Sequence, residues 1–447
     1  MNVKRSFNLR TNKIAIYGLG NVGGPIAAAW LKKGAKVIGV DISKTLLDSI
    51  SNGSSHKKEP FISEIFTKNL KNKNLQLTSN GEQASIDSEI KIISVPVDIK
   101  NDKIDLSAIL SVSKNISHGL KKNDIVIVCP SLPPGTTEKI VLPILERGSN
   151  LKGEKDFFLV YNPERIFEGR ALEDIEKNYP AIVSGLGRKS LDIGTKLLKI
   201  ISQKGVIQMS SLASAEAEKL FEGVYRDVNI ALANELADFC EKSDIDYWEA
   251  RKGANSQPFC HLHYPGTGVG GLCIPIYPQF VIKSAQKIGK SMKIIESARK
   301  INNSMPKKCV HDALQLIQKY STSKKSKNIA ILGLGFRGEV TDSRLSPTYD
   351  VISEFLKKGY NVIVHDPYIF EDDLLPKNIK LTSDIKLATK NADLIFISTD
   401  HKMYSNITKN KIKNSKKPLL IYDGRNILKN KQLFQPFLTT IGIRSYN

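Results

Sequence analysis

The residues best placed to do chemistry lie in Gly266-Thr-Gly-Val-Gly-Gly-Leu-Cys273-Ile-Pro275, where glycines frame a single thiol. Glycines at 266, 268, 270 and 271 permit positive-φ turns and a close backbone approach to a ligand. They would carry Cys273 to an open, ligand-facing position. Far upstream, Ile14-Ala-Ile-Tyr-Gly18-Leu-Gly20-Asn-Val-Gly23 reads as a strand running into a dinucleotide-binding turn. A nicotinamide-type fold with one glycine-cradled cysteine implies an oxidoreductase that passes through a covalent thioester. The plainer reading of a lone cysteine is a buried apolar side chain. The surrounding glycines and the remote Gly18 turn weigh against it.

Elements that could position these groups follow from the apolar pattern. Strands are expected at Ile14–Tyr17, Val37–Val40, Ile90–Val95, Ile125–Cys129, Phe157–Tyr161 and Ala181–Ser184, alternating with helical stretches. That alternation marks a parallel sheet wound on both faces. From Ser211 to about Ser243 there is no proline, and Leu220, Val224, Val228, Ala231 and Leu236 recur at helical spacing. One long amphipathic helix is expected, capped by Ser211 or Ser214. The alternation resumes at Ile329–Leu332, Val362–His365, Leu394–Ser398 and Leu419–Tyr422, after the polar stretch Ser321–Asn328. The expected fold class is α/β: two Rossmann-like, doubly wound domains joined by a central helical dimerisation region. The expected boundaries are 1–208, 209–320 and 321–447.

Both outer domains open on a similar phrase, Gly18-Leu-Gly20 and Gly333-Leu-Gly335, the latter continuing to Gly338. The first is followed by a strand ending at Asp41, about where the ribose hydroxyls of NAD find an acceptor. A carboxylate there would also repel a 2′-phosphate and favour NAD over NADP. The second copy lacks an acid at that distance, Asp366 coming later. It is expected to be a tight strand-to-helix turn that binds no dinucleotide.

The 447 residues suffice for two or three cores. An apolar share of 41% is ordinary for a globular chain, and no apolar run reaches the ~18–20 residues of a membrane helix. The basic start, Met1–Arg10, lacks the apolar core of a secretory signal. Five cysteines without paired spacing fit free thiols in a reducing cytoplasm. The net charge of +21 comes from lysines spread along the chain. Their densest groups, Lys324–Lys327 and Lys411–Lys417, lack interleaved aromatics and read as solvated loop, so neither nucleic acid nor membrane is an expected partner. Cys260, His261 and His263 lie close together, but no second cluster has zinc-type spacing, and no metal is expected.

With these residues in view, the chain resembles the nucleotide-sugar 6-dehydrogenases, the family of UDP-glucose and GDP-mannose dehydrogenases. Matching segments include Gly18–Gly23, Ser131–Thr137, Asn162–Arg165, Ala215–Lys219, Gly268–Cys273, Gly333–Arg337, Asp342–Pro347, His365–Tyr368, Thr399–His401 and Asp423–Asn426. Tyr225 to Glu235 looks most like the branch acting on UDP-N-acetylhexosamines, notably UDP-N-acetylmannosamine. The resemblance implies oxidation of a sugar C6 hydroxymethyl group to a carboxylate with two NAD, as in polysaccharide biosynthesis. It also implies a homodimer or higher homo-oligomer.

Carried over by resemblance, Cys273 attacks the C6 aldehyde, Lys219 faces the developing oxyanion, Glu164 handles protons, and Ser131 holds a water. Gly18, Gly20, Asn21, Val22, Gly23, Asp41, Pro96 and Ser131 are implied to bind NAD. Glu164, Arg165, Lys219, Gly270, Arg344 and Arg425 are implied to bind the UDP-sugar. UDP-glucose oxidation and a catalytically weakened nucleotide-sugar-binding homologue stay open as alternatives. Three positions depart from the family's pattern: Gly223 replaces an asparagine, Tyr277 an aspartate, and Phe259 an arginine. The Tyr277 ring is expected to fill the space that the asparagine side chain vacated. Its hydroxyl is expected within reach of Cys273, Lys219 or a shared water.

Overall fold

The computed structural model describes residues 11–56, 59–320, 327–408, 410, 412, 415 and 418–443. The basic start, most of the Ser321–Asn328 boundary and most of both lysine-dense groups lie outside the described residues. The chain forms two compact units, Met1–Glu222 and Gly223–Asn447.

In the first unit the strands are β1 (Lys13–Tyr17), β2 (Lys36–Val40), β3 (Leu75–Thr78) and β4 (Ile90–Ile93). After a separate ribbon of β5 (Asp98–Lys100) and β6 (Lys103–Asp105) come β7 (Ile125–Val128), β8 (Phe158–Tyr161), β9 (Ala181–Gly185) and β10 (Val206–Gln208). The sheet order is β10-β9-β8-β7-β4-β1-β2-β3. All pairings are parallel except β8 with β9. Side chains of β1 show why the sheet is covered on both faces. Ile14 and Ile16 join one buried cluster with Trp30 and Ile127, whereas Ala15 and Tyr17 join another with Val126 and Leu159. A strand buried on both sides reads as continuously apolar, and β7 does, whereas β4 carries the buried Lys91, paired with Asp124.

The helix Leu212–Lys242 runs for 31 residues, about 46 Å at 1.5 Å per residue. Ser211 caps it, its Oγ accepting from the Ser214 amide at 3.1 Å. In the second unit a six-stranded parallel sheet has the order β13-β12-β11-β14-β15-β16. These strands are β11 (Asn328–Leu332), β12 (Asn361–His365), β13 (Lys380–Thr382), β14 (Leu394–Ile397), β15 (Leu420–Asp423) and β16 (Leu438–Thr440). Ile329 and Ile331 point into one cluster, Ala330 and Leu332 into the other, repeating the two-faced logic of β1. Alongside lies the helix Lys293–Tyr320, tied to the long helix by a buried pair: Arg299 Nη1 donates to Asp227 Oδ1 at 2.6 Å. Asn302 Nδ2 donates to the same oxygen at 2.8 Å.

Candidate active site

The carboxyl edge of the first sheet collects the chemistry. Gly18 follows β1, Asp41 follows β2, Ser94 to Pro96 follow β4, Ser131 follows β7 and Glu164 follows β8. This is the edge where open α/β sheets bind ligands. Gly18 has φ +88°, and a Cβ on it would lie 3.0 Å from the Ser94 carbonyl oxygen. Gly20 has nothing within 4 Å of a Cβ position, so the turn is open on that side. The helix Gly23–Lys32 begins with Val22 at its cap, with no side-chain cap and no acid in its first turn, which suits a pyrophosphate. Asp41 spans the turn, Oδ2 accepting from the Leu19 amide at 2.8 Å and Oδ1 from the Ser43 amide at 2.9 Å. Its remaining lone pairs can still take ribose hydroxyls. These residues fit NAD.

Two features of this turn escaped sequence reasoning. His56 reaches across to the Leu19 carbonyl, Nε2 to O at 2.8 Å, and its ring sits where a Cβ on Gly24 would project. Ile42, 96% exposed, offers an apolar face beside Asp41. Spacing could not have marked the histidine, which is remote in sequence from the glycines.

Glu164 lines a cavity with Cys129, Asn162, Arg165, Asp174 and Tyr179 among others. Burial pushes its pKa up to about 7, partly offset by the positive charges of Lys219 and Arg165. That value suits a proton acceptor near neutrality. Lys219 is buried, its Nζ 3.8 Å from a Glu222 carboxylate oxygen. Arg165 is held by Glu222 at 3.1 Å and Glu218 at 3.5 Å, and its guanidinium lies 4.9 Å from the Tyr179 ring centre. Glu218 is also pushed up to about 7, by burial and then by the charge of Glu222. Sequence spacing gave no role to Glu216. It is fully buried and accepts from the amides of Gly135 and Thr137, fixing the loop that follows Ser131.

In the second unit Cys273 is exposed, whereas Cys129, Cys240 and Cys309 are buried and Cys260 is intermediate. The glycines before it also let the loop pack closely against its neighbours. A Cβ on Gly270 would lie 2.5 Å from the Leu345 oxygen, and one on Gly271 would lie 2.8 Å from the Phe336 ring. The Gly271 amide donates to Arg344 O at 3.0 Å. The cradle is a seat for the loop against the C-terminal sheet's turns. After Cys273 the chain turns at once into the helix Tyr277–Gln286, the Cys273 carbonyl accepting from the Tyr277 amide at 3.0 Å. The Tyr277 hydroxyl then donates to Cys273 Sγ at 3.3 Å.

Arg425 lies over Gly266 and donates through Nε to Ser398 O at 2.8 Å. Arg344 is exposed and forks onto Asp342, with contacts of 2.9 and 2.6 Å. Phe259 is 92% exposed. Backbone carbonyls around His261 and His263 are held by Asn229, Tyr247 and Arg251. Among the described residues no group of three or more His, Cys, Asp or Glu is placed to hold a metal.

The second glycine turn has its acid later in the chain than the first does. Asp366 does follow β12 as Asp41 follows β2, because more residues intervene between glycines and acid. Its carboxylate is fully buried and already accepts from the amides of Leu334 at 2.8 Å and Gly335 at 3.0 Å, and from those of Tyr368 and Ile369. His401 Nε2 lies 3.2 Å from it. Asp41 and Asp366 thus make the same first contact, to the leucine after the first glycine of each turn, and Asp366 adds the Gly335 amide.

Sequence profiles for the NAD binding, central and UDP binding domains of one family match residues 12–202, 213–304 and 330–430. The chain belongs to the UDP-glucose/GDP-mannose dehydrogenase family. It is an NAD-dependent nucleotide-sugar dehydrogenase. It is 31% identical over 418 residues to the UDP-N-acetyl-D-mannosamine dehydrogenase of Pyrococcus horikoshii, covering 93% of this chain and 96% of that one. The solved structure of the UDP-D-ManNAc dehydrogenase from that organism superposes with a TM-score of 0.88 at 30% identity, over 97% of this chain and all of the other. An NDP-N-acetyl-D-galactosaminuronic acid dehydrogenase from Methanosarcina mazei gives 0.83 at 28% identity, over 97% and 96%. Among the described residues no helix is long and apolar enough to cross a membrane.

Proposed function

We propose that the enzyme oxidises the C6 hydroxymethyl group of a UDP-N-acetylhexosamine, UDP-N-acetylmannosamine first, to the uronate through a thioester on Cys273. The observation that carries this reading is the one exposed thiol, delivered by a seated glycine loop, in a chain of this family. Likeness to the Pyrococcus enzyme supports the choice of sugar. UDP-glucose and the galacto epimer are the competitors, the latter raised by the Methanosarcina likeness.

Bound NAD supplies the acceptor for the hydride that leaves C6 in each oxidation, held by Gly18, Gly20, Asn21, Val22, Gly23, Asp41, Pro96 and Ser131. Glu164 takes the hydroxyl proton, directly or through a water held by Ser131, as the first hydride leaves. The Cys273 thiolate adds to the aldehyde carbon, and the resulting thiohemiacetal alkoxide loses a second hydride to become a thioester. Water, giving a proton to Glu164, attacks the acyl carbon; the C–S bond breaks, the thiolate leaves and the carboxylic acid formed ionises. In sum one hydroxymethyl group and one water become a carboxylate, releasing two hydrides and three protons. Tethering the aldehyde splits one four-electron change into two steps. The Lys219 ammonium stabilises alkoxide and tetrahedral oxyanions in turn. Arg165, Gly270, Arg344 and Arg425 hold the nucleotide sugar.

Residues 1–208 would form the NAD domain, 209–320 the central dimerisation region and 321–447 the UDP-sugar domain of a homodimer or larger homo-oligomer. Free thiols support a cytoplasmic setting. The test is incubation with NAD and a panel of UDP-hexoses and UDP-N-acetylhexosamines, following nicotinamide absorbance. Two NADH per sugar are expected, fastest with UDP-N-acetylmannosamine; no reduction with any of the panel would refute the reading. Cys273→Ser is expected to release no uronate while still binding NAD and UDP-sugar, since serine is a far poorer nucleophile without an adjacent base. Full uronate production by that variant would remove Cys273 from the mechanism.

A further inference from the structure

We propose that Tyr277 is a positioning residue for Cys273, its phenol holding the sulfur by a hydrogen bond that Gly223 makes room for. The proposal rests on the thioester reading above. Its geometry lies within the second unit. Tyr277 opens the helix Tyr277–Gln286, four residues after Cys273, and its Oη donates to Sγ at 3.3 Å. The turn that sets this spacing is itself fixed, because the Cys273 carbonyl accepts from the amides of Ile276 at 3.2 Å and Tyr277 at 3.0 Å.

Gly223 needs a reason. A glycine inside a helix costs about 0.5–1 kcal/mol relative to alanine. Gly223 sits inside the helix Leu212–Lys242 and is buried. A Cβ there would lie 2.5 Å from Tyr277 Cδ2 and 3.1 Å from Tyr277 Cβ. The missing side chain is the space that the ring occupies. Glycine and tyrosine therefore act as one replacement, and neither is accounted for alone.

The chemistry of the replacement differs in kind from that of the family's pattern. A carboxylate beside sulfur can only accept, and its charge opposes thiolate formation. A phenol with a pKa near 10 is protonated at neutrality and donates. Tyr277 thus favours the thiolate that must add to the aldehyde, and the thiolate that must leave the thioester. Holding Sγ in one direction also selects the near-attack geometry of the carbonyl carbon.

The test uses Tyr277→Phe, Gly223→Ala and the double variant in the full-length protein. One readout is the alkylation rate of Cys273 by iodoacetamide at neutral pH, mapped by peptide mass spectrometry with Cys260 as internal control. The other is the split between kcat and KM for the UDP-sugar. A donor to a thiolate is worth about one pKa unit of thiol acidity, which the partial loss of nucleophilicity reduces to about threefold in rate. Tyr277→Phe is expected to slow Cys273 alkylation about threefold with Cys260 unchanged, and to lower kcat about tenfold with KM nearly constant. Gly223→Ala, which displaces the ring, should match it, and the double variant should add little. An unchanged alkylation rate in Tyr277→Phe overturns the proposal whatever happens to kcat. Additive losses in the double variant overturn the part given to Gly223. Because alkylation needs no turnover, it decides the role of Tyr277 even if no UDP-sugar reduces NAD.

Discussion

The carboxyl group of Glu164 is pushed up to about 7 because burial penalises its charge more than Lys219 and Arg165 favour it. A general base must be ionised, so the ionised fraction falls as pH drops below that value. For the wild type, kcat/KM is expected to rise about tenfold per pH unit below pH 7 and to level off above it. Glu164→Gln should abolish that limb and leave a low, flat profile; a limb that survives in the variant would assign the base elsewhere. Asp41 makes a second argument at this scale. On the proposed role of Asp41, losing a charged acceptor for two ribose hydroxyls costs about 1.5–3 kcal/mol, or about 10- to 100-fold. Asp41→Ala should therefore narrow the NAD-over-NADP preference in kcat/KM by about that factor, and a wild type indifferent to the phosphate would contradict the assignment. Asp41 was legible in the sequence because it ends a strand after a glycine turn. Glu216 and His56 were not, since each acts through a backbone contact made across the fold.

Among the elements, buried strands announced themselves because continuous apolar runs leave little else to predict. The edge strands β3, β10, β13 and β16 did not. They are three or four residues long and only partly apolar, and their neighbours' hydrogen bonds decide them. The long helix was expected from Ser211 to Ser243 and runs from Leu212 to Lys242. Its apolar stripe hid a polar feature, the buried Asp227 that meets Arg299 and Asn302. Burial raises the Asp227 pKa while Arg299 lowers it, so the pair is held together by mutual need. Arg299→Ala should cost about 3–5 kcal/mol, because an unpaired carboxylate stays buried. Urea denaturation would measure it. A loss under 1 kcal/mol would mean that Asn302 alone satisfies Asp227.

Taken as a whole molecule, the chain leaves an apolar line uncovered on the long helix. Tyr225, Leu232 and Phe239 recur every seven residues and are 55%, 43% and 56% exposed. A surface of that spacing and length suits a second copy of the same helix. Light scattering at micromolar concentration should give at least twice the 49.6 kDa of one chain, and Leu232→Glu should shift the mass toward one chain. A wild-type monomer would leave this stripe without its expected occupant. The family's order of motifs made the architecture readable from sequence. The seating of the glycine cradle and the occupant of the second turn were unreadable, because each depends on what packs against it.

The second turn has a kinetic consequence. Asp366 takes its Leu334 and Gly335 amides and Asp400 its Gly338 amide, and the Gly18 turn is the one proposed to hold NAD. On the proposed route to the uronate, each turnover needs two hydride acceptors. The first NADH must therefore depart and a fresh NAD arrive in the same berth, while the half-oxidised sugar waits in place. Residence time becomes the constraint: the aldehyde, or its adduct on Cys273, must outlast a cofactor exchange. Equilibrium dialysis should count one NAD per chain at saturation, and rapid mixing with limiting NAD should strand sugar at the aldehyde level on the protein instead of releasing it.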